Sequence, residues 1–326
     1  MGGLKLKKFA LLVGNGFTLD YIKEKGYDSS YPLQNFKSPD IQYSYDFMSH
    51  IPSIQKLISL NTEVDFLALE QFMTPIKMLE EEHDRLPDRL QYSRDLDPKY
   101  MHAIKSHIEL RRFIAMSYSA LQIEVDKYDF ATWKWHNWLN VNSDKLTIAI
   151  SFNYDLILEN SLDSSGTIIH RVGTNEFPRG IPILKPHGSL DFDAPNHLLQ
   201  ADSPWDITAK LNDGQMVKAL PKHDWLNARL EADIIVPSLH NEQLHLSWVD
   251  KMYKKYAEQA QEIEAMVIVG CSYWDVDRPE INKLLGQLKK RTKVFIIDPN
   301  PSKDLIKKIQ SLGLSYRKGN HQGLPW

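Results

Sequence analysis

Cysteine is nearly absent: Cys271 is the only one in 326 residues. A single thiol excludes an internal disulfide and any zinc site built from several cysteines. Closely spaced Cys/His clusters are missing too, so no structural metal is expected. No apolar run approaches the roughly 20 residues needed to span a bilayer. The short basic stretch before Phe9 is not followed by the long apolar core and small-residue cleavage site of a signal peptide. The expectation is a cytoplasmic protein without membrane association. Charge of one sign is also lacking: the formal net charge is −3. Direct nucleic-acid binding usually leaves a basic footprint and is not expected here.

What remains is an ordinary globular composition, 42% hydrophobic and 25% charged, in a chain long enough to bury a substantial core. Residues 9–13 form a continuous apolar run, broken by Gly14-Asn15-Gly16. Residues 17–25 then carry a helical pattern, with Asn15 or Thr18 available as its cap. Strand, glycine turn and helix open a nucleotide-binding unit, because such a turn lets a phosphate approach the backbone and the helix N-terminus. The third glycine of a dinucleotide fingerprint is replaced by Leu19, so a tight turn without ligand remains an alternative.

Residues 40–140 differ in character. Helical spacing runs through 64–73, 104–121 and 130–139, and 86–98 reads as a loop. This helical insert is either a lid or oligomerisation region, or a layer that covers the sheet. Phe66, Phe72, Trp133, Trp135 and Trp138 exceed what one layer obviously needs, and aromatic residues are enriched in interfaces. A homo-oligomer held by the insert is therefore expected.

Strand character returns at 146–152, 167–172, 181–184, 233–236, 265–269 and 293–297, with helices at 244–264 and 280–291. Most of these strands are rich in Ile and Val with little alternation, as when both faces are buried. The fold class expected is α/β: a Rossmann-like, doubly wound parallel sheet with a large helical insert, residues 1–326 forming one domain. Residues 191–230 read as a polar excursion at the ligand edge.

In open parallel sheets, ligands bind outside the carboxyl ends of the strands. Five strand ends here deliver polar or glycine residues: Gly14–Thr18, Asn153-Tyr154-Asp155, His187-Gly188-Ser189, Gly270-Cys271-Ser272 and Asp298-Pro299-Asn300. Taken singly, Asn153 and Asp155 are also good helix caps, and a lone histidine is more often structural. As a set, they suit a dinucleotide. A histidine near its reference pKa of ~6.5 can take a proton from water or a ribose hydroxyl. The Asn153 amide can donate and accept, and so hold a water against a sugar. Asp155 can accept from a carboxamide, and Asp298 from an adenosine ribose.

These motifs resemble those of the Sir2-like family, in particular its bacterial branch that hydrolyses NAD+. Ser151-Phe152-Asn153-Tyr154-Asp155 resembles the family's Thr-x-Asn-x-Asp motif, and His187-Gly188-Ser189 its His-Gly motif. Gly270-Cys271-Ser272 resembles its Gly-x-Ser turn. The resemblance implies that Asn153 and His187 are catalytic, with His187 the general base. It implies that NAD+, as substrate, is held by Gly14, Asn15, Gly16, Phe17, Thr18, Asp155, Gly188, Ser189, Gly270, Ser272, Asp298 and Asn300. It covers both ends of the chain but not residues 40–140. The four-cysteine zinc module of deacylase members is missing, and Asp20-Tyr21-Ile22-Lys23 stands where they carry Gly-Ile-Pro-Asp-Phe-Arg. The implied activity is NAD+ glycohydrolase in bacterial anti-phage defence. The implied partner is a separate helicase-like ATPase, Argonaute-type protein or sensor, since this chain has no Walker-type motif. A protein deacylase and a non-catalytic NAD- or ADP-ribose-binding module are the alternatives.

Overall fold

The computed structural model describes residues 8–26, 33, 41, 48–60, 66–87, 97–194, 214, 216–227, 232–236, 238 and 245–326. The chain runs β1 (Phe9–Val13), α1 (Asn15–Glu24), α2 (Pro52–Leu60), α3 (Phe66–Asp84), α4 (Pro98–Val125) and α5 (Lys134–Asn142). Next come β2 (Leu146–Ser151), α6 (Ile157–Ser164), β3 (Ile169–Arg171), β4 (Ile181–Leu184), β5 (Gly188–Asp193), β6 (Lys218–Ala219) and β7 (Ala232–Ile234). The remainder is α7 (Ser247–Ala260), β8 (Ala265–Val269), α8 (Arg278–Gly286), β9 (Lys293–Ile297), α9 (Lys303–Ser311) and β10 (Ser315–Lys318).

Seven strands form one parallel sheet in the order β10-β9-β8-β1-β2-β4-β3, with helices on both faces. The expected α/β class is therefore the observed one. β1 lies between β2 and β8, so the chain winds outward from it in both directions. Its side chains divide by strand period. Phe9, Leu11 and Val13 enter the core under the insert, and Ala10 and Leu12 enter the core under α7, α8 and α9. A strand buried on both faces leaves no polar position, hence its unbroken apolar run.

The insert is a layer on the sheet. Leu110, Phe113, Ile114 and Leu121 of α4, with Trp135, Trp138 and Leu139 of α5, share one core with Phe9, Leu11 and Val13. Trp133, Trp135 and Trp138 are buried, and Phe72 packs on the same core. Among the aromatics offered as interface surface, only the Phe66 side chain lies outside the described residues. Those tryptophans fill the subunit interior, which removes the aromatic surplus as a reason for assembly. Phe9, Trp138, Phe295 and Trp326 meet edge to face, with centroids 4.9–5.4 Å apart.

Three local expectations need correction. Gly14 occupies the N-cap of α1 with no side-chain cap bond, because Thr18 is turned inward to Asp155 instead. The strand expected at 233–236 is β7, and it belongs to a separate antiparallel sheet, β6-β5-β7. The cause is Gly188, whose φ of +85° reverses the chain after β4 and starts β5 alongside Ile234. The excursion expected at 191–230 accordingly begins as ordered strand. Its residues 195–213 lie outside the described residues, as do 88–96 of the expected loop.

At the carboxyl ends of β1 and β8 two turns interlock. Gly14 N–H donates to the Val269 carbonyl at 2.9 Å, and Gly16 N–H to the Gly270 carbonyl at 3.0 Å. A Cβ on Gly270 would fall 2.4 Å from the Gly16 Cα, and φ there is +59°. Gly270→Ala should therefore destabilise by about 1–3 kcal/mol, from strain and overpacking together. An added methyl on Gly286 would meet nothing within 4 Å. Gly286→Ala should leave stability unchanged or improved, since Ala is the better helix former. Denaturant titration of both variants measures the contrast.

Candidate active site

The interlocked turns form the floor of a cleft of about 800 Å³ at the carboxyl edge of the parallel sheet. This is the point where strand order reverses about β1, and such switch points are where ligands bind. Gly14, Asn15, Gly16, Asn153, His187, Gly270, Ser272 and Asp298 all line the cleft. Strand order places Asp298, Gly270, the Gly14–Gly16 turn, Asn153 and His187 in sequence across five adjacent strand ends. Four strand spacings make that array about 19 Å long.

Six residues expected at the site stand elsewhere. Phe17 is buried against Trp133. Thr18 is buried, and its hydroxyl donates to Asp155 Oδ2 at 2.5 Å. Asp155 accepts that bond and one from the N–H of Ile157, the first residue of α6, at 3.1 Å, and is buried in the core. Gly188 lies under the turn against the Asp233 carbonyl. The buried Ser189 hydroxyl donates to the Tyr154 carbonyl at 3.3 Å. Asn300 is exposed, and its N–H donates to Asp298 Oδ1 at 2.7 Å. For Thr18, Asp155 and Ser189 the reason is local satisfaction: their polar groups are taken up by neighbours inside the fold.

Asn153 is part of both fold and cleft. Its Nδ2 donates to the Gly14 carbonyl at 2.9 Å and to Thr18 Oγ1 at 3.0 Å. It ties the end of β2 to the turn after β1, so it supports the fold as well as lining the cleft. Both amide protons are used, and its carbonyl oxygen is what it can offer a ligand. The residue acts as an acceptor rather than as a donor and acceptor.

His187 follows β4 and stacks on Phe152, centroids 4.5 Å apart. Its Nε2 pairs with Glu280 Oε2, and it makes a further hydrogen bond to the Phe152 backbone. Glu280 Oε1 accepts from the Tyr253 hydroxyl at 2.8 Å. Burial alone would lower the His187 pKa. The Glu280 charge and hydrogen bond, with Asp277 behind them, outweigh burial and raise it to about 9. Glu280 is held below its usual value: burial opposes ionisation, and His187 and Tyr253 more than offset that. His187 is thus an imidazolium at neutral pH, with its protons already committed. That is the reverse of what a general base needs.

Several cleft residues were not foreseen. Asp277 lines it from the N-cap position of α8, and its carboxylate has no hydrogen-bond or ion-pair partner among the described residues. Lys23, Lys134 and Lys318 add positive charge, and Tyr118 and Trp135 bring the insert into the wall. Lys134 pairs with Asp20 at 3.0 Å. Residues 316–323, with Tyr316, Gly319, Asn320 and Gly323, close the far side. Asp277 and Glu280 follow the Gly270 turn closely enough in sequence to have been suspected. The tail carries no such signal. Among the described residues no cluster of three or more His, Cys, Asp or Glu could hold a metal ion, and no helix is long and apolar enough to cross a membrane. No family model matches the chain, and no curated protein matches it.

The ion pair has a pH signature. His187 is protonated below about pH 9 in the fold and below 6.5 when free of its surroundings. The attraction to Glu280 therefore contributes fully below pH 6.5 and is lost as pH rises through about 9. Glu280→Gln should cost roughly 1.5–3 kcal/mol near neutrality, the scale of a charge-assisted hydrogen bond. It should also flatten the fall in melting temperature across that window. Thermal melts of wild type and variant between pH 6 and 9.5 measure both effects.

Proposed function

We propose that the protein hydrolyses NAD+ to nicotinamide and ADP-ribose. The observation that carries this reading is the ordered array across five strand ends of one cleft. Asp298 has the chemistry for the adenosine ribose, since a carboxylate accepts from paired hydroxyls. The Gly14–Gly16 turn lines the cleft at the N-terminus of α1, where the positive end of the helix dipole suits the pyrophosphate, although the Gly14 and Gly16 N–H groups are already bonded to Val269 and Gly270. Asn153 and His187 stand at the other end, where the nicotinamide ribose would lie. The volume is in the range of sites that enclose a small ligand. The likeness of the Asn153 and His187 motifs to Sir2-like NAD+ hydrolases points the same way. On that likeness, the protein would belong to that family and serve anti-phage defence, as an oligomer with a separate partner chain.

The reaction is NAD+ plus water giving nicotinamide, ADP-ribose and a proton. The C1′–N bond breaks with its electron pair passing to the nicotinamide ring, which becomes neutral. Positive charge develops on the ribose, and water adds to C1′. The Asn153 carbonyl oxygen can accept from that water or from a ribose hydroxyl. The protonated His187, its N–H groups taken by Glu280 and the Phe152 backbone, can hold an oxygen of the sugar electrostatically. A charged His187 also favours a second reading, a module that binds NAD+ without turnover.

Isothermal titration with NAD+ and measurement of free nicotinamide separate these readings. NAD+ should bind, and nicotinamide should appear. Asp298→Ala should weaken binding by about tenfold, ~1.4 kcal/mol, with little change in turnover at saturation. Binding without any nicotinamide selects the binding module. Absence of binding to the intact protein overturns both.

A further inference from the structure

Resting on the reading of this cleft as an NAD+ hydrolase, we propose that Asp277 is the carboxylate that takes the proton of the attacking water and faces the developing ribose cation.

Asn153, His187 and Asp277 all line the cleft, and the first two lack a site for a proton. Asn153 is an amide whose NH2 is committed to Gly14 and Thr18. His187 is committed to Glu280 and to the Phe152 backbone. Asp277 lines the same cleft and makes no side-chain bond to the helix it precedes. It precedes Glu280 by three residues, at the start of the helix that carries it, and its charge acts on His187, Tyr154, Tyr253 and Cys271. The charged groups facing it are His187 after β4, Glu280 on α8 and Glu70 on α3.

Burial raises the Asp277 carboxyl above its usual range; His187 opposes the rise, and Glu280 and Glu70 add to it. The two carboxylates of this corner thus diverge. Glu280 is low and spent on His187, and Asp277 is high and unpaired. Groups whose surroundings push them apart in this way are suited to different tasks. Glu280 fixes the histidine as a cation. Asp277 keeps a lone pair for the water.

In the step, the C1′–N bond breaks and its electrons pass to nicotinamide. The water oxygen bonds to C1′, and its proton passes to Asp277, which releases it to solvent. Before that transfer, the carboxylate offsets the charge growing on the sugar. No oxidant or further reactant is needed.

The test is nicotinamide release from saturating NAD+ between pH 4.5 and 9 by wild type, Asp277→Asn, Asp277→Glu and Glu280→Gln, with NAD+ affinity and melting temperature alongside. Asp277→Asn should bind NAD+ within about tenfold of wild type and turn over at least 10²-fold more slowly, the usual loss for a general base. The acid limb of the rate profile should vanish in that variant. Asp277→Glu should keep the limb and much of the rate, which guards against a mere folding defect. Glu280→Gln should keep the acid limb, because Asp277 is intact. Wild-type rate in Asp277→Asn overturns the inference and leaves NAD+ hydrolysis standing. So does an acid limb that stays in Asp277→Asn but moves in Glu280→Gln, which returns the base to His187. A wild type that binds NAD+ and never releases nicotinamide removes the parent reading and this inference with it.

Discussion

The contact of Gly270 with Gly14 and Gly16 is the constraint on which the cleft depends. Two turns, each leaving a central strand, pass so closely that no side chain fits between them. The hydrogen bonds from Gly14 to Val269 and from Gly16 to Gly270 extend the pairing of β1 and β8 beyond the sheet. Asn153 adds the third side, joining the Gly14 carbonyl to Thr18 and through it to Asp155. The start of α1 is thereby fixed at the floor of the cleft. Missing side chains do here what bulky ones do in the core: they fix a distance.

Charge is divided as sharply as space. The turn that carries His187, between β4 and β5, is anchored by buried ion pairs on both sides. Lys185, fully buried, donates to the Asp155 carbonyl at 2.6 Å and lies 3.0 Å from Glu159. Arg171 grips Asp191 of β5 with both oxygens within 2.9 Å and binds Glu176 beside it. Breaking such a buried pair strands a charge, at a cost of about 3–5 kcal/mol. These pairs lie below the cleft and take no part in its chemistry. Their effect is to hold the turn between β4 and β5 in place, so that His187 stays against Glu280.

The sequence was most legible where burial was two-sided. β1, β4, β8 and β9 end where their apolar runs end, because a strand inside a parallel sheet has no polar position to blur its limits. The edge of the sheet that holds the cleft followed from those ends. β5 and β10 were not legible: Gly188-Ser189-Leu190-Asp191-Phe192-Asp193 alternates, but its pairing depends on a left-handed glycine, and Ser315–Lys318 is a polar edge strand. Which residues line the cleft was legible for groups at strand ends and not for their neighbours. Asp155 and Thr18 look as available as Asn153 in one dimension, and only the packing shows that they satisfy each other. The Glu280 partner of His187 lies 93 residues away, and although Glu280 follows the Gly270 turn, its pairing with the histidine is visible only in three dimensions. A general base was inferred from residue type, and the long-range carboxylate reverses its charge.

The loop after Gly270 shows how the cleft wall is finished. Tyr273 adopts φ of +53°, a conformation that costs an ordinary side chain about 1–3 kcal/mol. It is retained because the ring is fixed at both ends: its hydroxyl donates to Asn282 at 2.9 Å, and Arg278 lies 5.2 Å over its face. Both partners belong to α8, the helix that also carries Glu280. The strained residue turns inward, leaving Ser272 and the half-exposed Trp274 along the cleft. With an unstrained backbone at Tyr273, the chain would enter α8 in another direction, and Glu280 would no longer meet His187. The strain therefore lies in the connection between the glycine interlock and the ion pair, and it sets the one against the other.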